Sequence, residues 1–156
     1  MVNTINMQDM RHLNLFNQIT RIHTRFCVTY NGTIIFCVPR EFVARAIGEE
    51  GRNVKRISEI LQKKVRVIQC PRGIEDIRGF IGIIVKPVTF KNIEITNNEI
   101  ILTAGNTQNK ASLIGRDKRR FFEMQKIVKD FFNRDFRIIY SSESFINQFL
   151  NITLWD

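Results

Sequence analysis

No apolar run in this sequence approaches the length that crosses a membrane. The unbroken stretches are short, as in Ile83-Ile84-Val85, whereas a spanning helix needs about 20 such residues. Met1 to Met10 carry Asp9 and hold no apolar core segment, so no signal peptide is expected. Cysteine is sparse, and Cys27, Cys37 and Cys70 form no CxxC pair and follow no metal-ligand spacing. Histidine is sparser still. His12 and His23 have no cysteine or carboxylate cluster beside them in the sequence, and they read as surface or packing residues. Ser141 and Ser142 lack the glycine-flanked elbow of a hydrolase nucleophile. Gly48 to Gly51 lacks the Gly-Lys-Ser/Thr ending of a nucleotide-binding loop. These absences predict a protein that is no enzyme, holds no metal and needs no cofactor.

What the chain has is positive charge. Lys and Arg number 24 against 15 Asp and Glu, a formal charge of +9 over 156 residues. An excess of that size implies a polyanionic partner: nucleic acid first, an acidic membrane surface or acidic protein second. A hydrophobic fraction of 44% is ordinary for a folded domain. With no membrane segment and no cysteine framework, the expected compartment is the cytoplasm, with reduced thiols and a monomeric chain.

An internal repeat organises the sequence. The first copy opens with a helix around Leu13 to Ile22, followed by strands Arg25–Tyr30 and Thr33–Val38 about an Asn31-Gly32 turn. In that register Cys27 faces Phe36 and Cys37 faces Phe26, so these two thiols lie on opposite faces and cannot bridge. A helix from Pro39 to Ile47, a glycine loop, a helix from Arg52 to about Gln62 and a strand Lys64–Gln69 complete the copy. The second copy repeats the order. It has a helix Ile74–Val85 and strands Phe90–Thr96 and Glu99–Thr103 about Asn97-Asn98, a pair suited to positive φ. Pairing there places Ile93, Ile95, Ile100 and Leu102 on one face. A helix Gln108–Ile114, a second loop, a helix to about Asn133 and a strand Phe136–Tyr140 follow. Phe121, Met124, Val128 and Phe131 are spaced to face a core. The expected fold is α+β, two small domains of order α-β-β-α-α-β packed together, at 1–72 and 73–141, with a tail at 142–156.

The segment Ile47-Gly48-Glu49-Glu50-Gly51-Arg52-Asn53-Val54 resembles the I-G-x-x-G-x-x-[IV] core of a KH domain. Its setting between two helices, after an NG hairpin and inside a repeat, matches the type II variant. Tandem type II KH domains are similar to the RNA-binding part of NusA transcription factors, and above all to the short archaeal NusA-like proteins. Leu15-Phe16-Asn17-Gln18-Ile19, Pro71-Arg72-Gly73-Ile74-Glu75-Asp76-Ile77 and Leu113-Ile114-Gly115-Arg116-Asp117-Lys118-Arg119-Arg120 support the likeness. The resemblance implies binding of single-stranded RNA, a nascent transcript, with RNA polymerase as a further partner in elongation or termination. Ribosome association or rRNA maturation, and an RNA-independent adaptor, are the alternatives.

The chemistry suits RNA. Glycines let a backbone approach a phosphate, and the helix that follows offers free N–H groups and the positive end of its dipole. About four nucleotides would be held beside the loop. The expected RNA-binding residues are Ile47, Gly48, Gly51, Arg52, Asn53, Lys55 and Arg56 in the first copy. In the second they are Ile114, Gly115, Arg116, Lys118, Arg119 and Arg120. Cations in a first helical turn oppose the dipole, which favours a ligand anion there. The loops depart from the pattern in two ways. Glu49 and Glu50 leave the first with a local charge of −1 over residues 48–53, and Lys118 replaces the second glycine in a loop of +3 over 115–120. The second loop is the expected phosphate contact.

Overall fold

The structure is a computed structural model that describes residues 6–140. It is mixed α and β, and the chain divides into two compact units, Met1–Ile83 and Ile84–Asp156. The tail expected at 142–156, with Trp155, lies outside the described residues. Among those residues no helix is long and apolar enough to cross a membrane.

The first unit begins with helix α1 (Met7–Thr20). Its start is set by a cap: the Asn6 side chain accepts the Asp9 N–H at 2.8 Å. It stops where Arg21 turns left-handed and returns its N–H to Asn17 O. The apolar spacing marked only the packed half from Leu13 onward, and it ran past the stop to Ile22. Strands β1 (Phe26–Tyr30) and β2 (Thr33–Val38) meet at a turn whose central residues, Asn31 and Gly32, both have positive φ. Phe26 pairs with Cys37 and Cys27 with Phe36, as the turn predicts. Strand β3 (Lys64–Gln69) lies parallel to β2 and closes a sheet of order β1-β2-β3.

Two helices cross over between β2 and β3. A 3-10 turn at Arg40–Phe42 leads into α2 (Val43–Ile47), and after the loop comes α3 (Arg52–Leu61). One sheet face, with Cys27, Ile34, Phe36, Val38, Val65 and Val67, packs on Phe16, Ala46 and Ile57 from the helices. At its centre Phe16 and Phe36 stack with centroids 4.5 Å apart. Val28, Ile35, Cys37 and Ile68 on the other face are buried too. Parallel pairing continues past β3, since Cys70 donates its N–H to Val38 O at 2.8 Å. Cys37 and Cys70 are consequently hydrogen-bonded through their thiols. That bond and burial push the Cys37 thiol up, and the same bond lowers Cys70. A parallel partner leaves no short-range signal in the sequence, so the hairpin register relates Cys37 to Cys27 and not to Cys70.

Helix α4 (Ile77–Val85) follows a 3-10 turn, Ile74–Asp76, and the division between the compact units falls inside it. The second unit repeats the topology. Strands β4 (Asn92–Ile95) and β5 (Glu99–Ala104) are antiparallel, β6 (Asp135–Tyr140) is parallel to β5, and helices α5 (Thr107–Ile114) and α6 (Arg119–Phe132) cross between them. Ile93 pairs with Leu102 and Ile95 with Ile100, the expected register. The turn is built otherwise than expected. Neither Asn97 nor Asn98 is left-handed; the Thr96 hydroxyl accepts the N–H groups of Asn98 and Glu99 instead. Ile95, expected on the apolar face, is 47% exposed at the end of the edge strand β4. In α6, Met124, Val128 and Phe131 are buried as their spacing predicts.

The Phe16–Phe36 stack has no polar substitute and no exposed edge, so truncating it leaves a cavity. Phe36→Ala is expected to destabilise the protein by about 3–5 kcal/mol in urea unfolding; a loss under 1 kcal/mol would show that this stack does not organise the first unit.

Candidate nucleic-acid interface

The two helix–loop–helix segments share one backbone. After Ile47, Gly48 sits at φ 82, ψ 166, Glu50 at φ 58, ψ 26 and Gly51 at φ 74, ψ 20, where α3 begins. After Ile114, Gly115 sits at φ 76, ψ 173, Asp117 at φ 56, ψ 28 and Lys118 at φ 60, ψ 23, where α6 begins. A hydrogen bond closes each loop: Gly51 N–H donates to Gly48 O at 3.1 Å, and Lys118 N–H to Gly115 O at 3.2 Å. Different sequences thus make the same turn.

The first glycine is obligatory for two reasons. Its φ and ψ lie in a region that is essentially glycine's own. A Cβ there would also collide with the residue five positions on, with the Asn53 side chain 3.0 Å from Gly48 and that of Arg120 2.8 Å from Gly115. Those neighbours have a task. Asn53 Nδ2 donates to Arg45 O at 3.2 Å, and Arg120 NH1 donates to Ser112 O at 2.9 Å, so each ties its helix back to the preceding one. The second glycine position is free of such crowding. A Cβ at Gly51 would meet nothing nearer than Lys55 at 3.9 Å, which is why Lys118 can occupy the matching place at a strain of only about 1–2 kcal/mol.

Of the expected binding residues, Arg52, Lys55 and Arg56 in the first unit and Arg116, Lys118 and Arg119 in the second are exposed around the loops. Ile47, Asn53, Ile114 and Arg120 are half-buried, and Asn53 and Arg120 carry the interhelical ties described above. Neither α3 nor α6 has a side-chain cap or an acidic residue in its first turn; the leading N–H of each, from Arg52 and from Arg119, closes onto the carbonyl of Glu49 or Arg116. A second groove beside α3, of about 480 Å³, is lined by Val54 and Val65 together with Lys55, Lys64, Arg66 and the carboxylate of Glu59. Lys64 and Arg66 escaped the sequence reading. Alternation with Val65 and Val67 places both on the sheet face away from the helices, and only the position of β3 at the sheet edge brings them to the groove beside α3.

Among the described residues one group of mixed donors converges. Asp9, His12 and Cys27 bring ligand atoms within 4.8 Å of one another, although no spacing in the sequence announced it. Asp9 and His12 are three apart on α1, and Cys27 faces them from β1. Three donors fall one short of the four that close a structural zinc site. His12 Nδ1 is buried without a hydrogen-bond partner. Burial lowers the His12 pKa, Asp9 partly offsets this, and Lys63 adds to the lowering.

The chain is similar to known proteins in two comparisons. It is 27% identical over 89 residues, 57% of its length, to the "Probable transcription termination protein NusA" of Methanococcus vannielii. The matched segment spans half of that relative's length. The solved crystal structure of APE1850 shares the fold with a TM-score of 0.57 at 22% identity, covering 87% of this chain and 99% of the other. No known protein-family profile matches the chain.

Two outcomes follow from the geometry. Gly48→Ala and Gly115→Ala are each expected to cost about 2–3 kcal/mol in denaturant unfolding, against roughly 1 for Gly51→Ala; equal costs at Gly48 and Gly51 would contradict the crowding described. For His12 the folded chain binds its proton less readily than the unfolded chain. Its stabilising contribution is therefore complete above about pH 6.5 and is lost as pH falls through the lowered folded value. Thermal unfolding between about pH 7 and pH 5 should show that fall, and His12→Gln should flatten it.

Proposed function

We propose that this chain is a NusA-like factor that binds single-stranded RNA through two type II KH modules and acts with RNA polymerase in elongation or termination, by binding rather than catalysis. The observation that carries the reading is the pair of matching loops, each opening a helix whose first turn has no side-chain cap, no acidic residue and exposed cationic side chains. A phosphate seated there meets backbone N–H groups, the helix dipole and, in the second unit, Arg116, Lys118 and Arg119. The groove lined by Val54 and Val65 carries Lys55, Lys64 and Arg66 against one carboxylate, Glu59, which suits unstacked bases and their backbone. The likeness to the Methanococcus vannielii protein named as a probable transcription termination protein supports the transcriptional setting. Glu49 and Glu50, exposed on the first loop, repel a phosphate and favour a protein contact for that unit.

Fluorescence anisotropy with a labelled single-stranded RNA across a salt series tests the reading. Each phosphate contact on a single strand contributes roughly 0.7 to the slope of log affinity against log salt. Arg116→Ala with Lys118→Ala and Arg119→Ala should weaken binding and flatten that slope by about two units. Glu49→Lys with Glu50→Lys should raise affinity by removing repulsion. Unchanged binding in the triple variant, with its fold intact by circular dichroism, would remove the second loop from the site. Co-purification with ribosomal subunits instead of polymerase would move the protein to rRNA maturation.

A further inference from the structure

Each unit carries a shallow groove along the solvent side of its loop helix, and the two grooves are lined by matching positions. In the first unit these are Glu49, Glu50, Arg52, Lys55, Arg56 and Glu59, around about 520 Å³. In the second they are Arg116, Asp117, Arg119, Phe122, Glu123 and Lys126, around about 660 Å³. The first set balances three cations against three anions. The second has three cations, two anions and one phenyl ring.

Phe122 is 54% exposed, and it is the one aromatic among the large hydrophobics left exposed in the described residues. An exposed phenylalanine at the fourth position of α6 costs apolar hydration that a Lys, as at the matching Lys55, would avoid. The ring is also held in place. Phe121 lies against it with centroids 5.6 Å apart and itself rests 5.9 Å from Phe136. Lys126 on the groove wall is fixed by its ion pair to Asp130 at 3.0 Å. Arg116 and Arg119 stand exposed on the loop side. An exposed aromatic face beside exposed cations is the arrangement that a nucleobase with its phosphates fits. The ring takes the π face of the base, and the cations take the backbone.

We propose that Phe122 is a stacking platform for one unpaired base of a single-stranded nucleic acid whose phosphates run past Arg116 and Arg119. This rests on the RNA-binding reading above and adds to it a base-contacting residue in the second unit that the first unit lacks. The full-length protein should be titrated against a labelled single-stranded RNA and against an abasic ribose-phosphate strand of equal length. Phe122→Ala is expected to lose about 5- to 100-fold in affinity for the RNA. It should bind the abasic strand as the parent does, with an unchanged salt slope. Phe122→Trp, made with Trp155→Phe, should keep the affinity, and its fluorescence should be quenched by the RNA but not by the abasic strand. Phe122→Leu, which keeps apolar bulk without a π face, should resemble Phe122→Ala.

Equal losses on both strands would make Phe122 a support of the loop rather than a base contact. Parent-like binding of RNA by Phe122→Ala would overturn the platform while leaving RNA binding in place, and would turn the exposed ring toward a protein partner. A parent protein that binds neither strand would overturn the RNA reading itself, and the platform with it.

Discussion

The constraint on which both units depend is the glycine at the end of the short crossover helix. At φ near 80 and ψ near 170 this residue ends the short helix, and the next helix starts four residues later. A side chain there would also occupy the place where Asn53 or Arg120 reaches back to a carbonyl of the preceding helix. The missing Cβ and the interhelical tie are therefore one device. Remove the glycine and the tie has no room; remove the tie and two short helices, five and eight residues long, lose a bond that fixes their angle to the longer ones. Helices this short have little stability of their own. They hold their place through this bond and through Ala46 and Leu113, the residues they bury.

On that shared backbone the two units have diverged in chemistry. The tie is an asparagine in one and an arginine in the other, and the open second position is glycine in one and lysine in the other. The loop tip carries two carboxylates in one, and in the other an arginine and an aspartate. None of these changes moves the main chain, since Glu50 and Asp117 differ by only a few degrees in φ and ψ. The fold thus separates what must be kept, a glycine and a reaching side chain, from what is free to set the electrostatics of the surface.

Much of this was legible in the sequence, for identifiable reasons. The Asn31-Gly32 turn fixes its own register, so the pairing of Cys27 with Phe36 could be read before any coordinates. The repeat was legible because glycine loops and strand periodicity recur in one order. Local side-chain bonding was less legible. Asn97-Asn98 looked like a left-handed turn, yet the hydroxyl of Thr96 supplies the bonds that such a turn would have made. Polar first turns were also missed, since Met7 to His12 carry no apolar stripe and only the Asn6 cap announces the helix. Contacts between distant segments were the least legible: Cys37 with Cys70, and Asp9 and His12 with Cys27. Arg120 looked like a phosphate ligand by its neighbours, whereas at least one of its donors serves the interhelical tie.

The second loop carries costs that an anion beside it would offset. Lys118 holds a left-handed conformation that glycine would adopt freely, a strain of about 1–2 kcal/mol. Arg119 and Arg120 stand in the first turn of α6, where each positive charge opposes the dipole by a few tenths to about 1 kcal/mol. No acidic residue in that turn offsets them, and Asp117 is the one carboxylate in the loop. The matching turn in the first unit avoids the first cost by keeping Gly51. These penalties fall on one exposed turn where folding alone would favour a glycine and an acid. A bound phosphate reverses the sign of every electrostatic contribution there, because the same cations and the same N–H groups then face a negative charge.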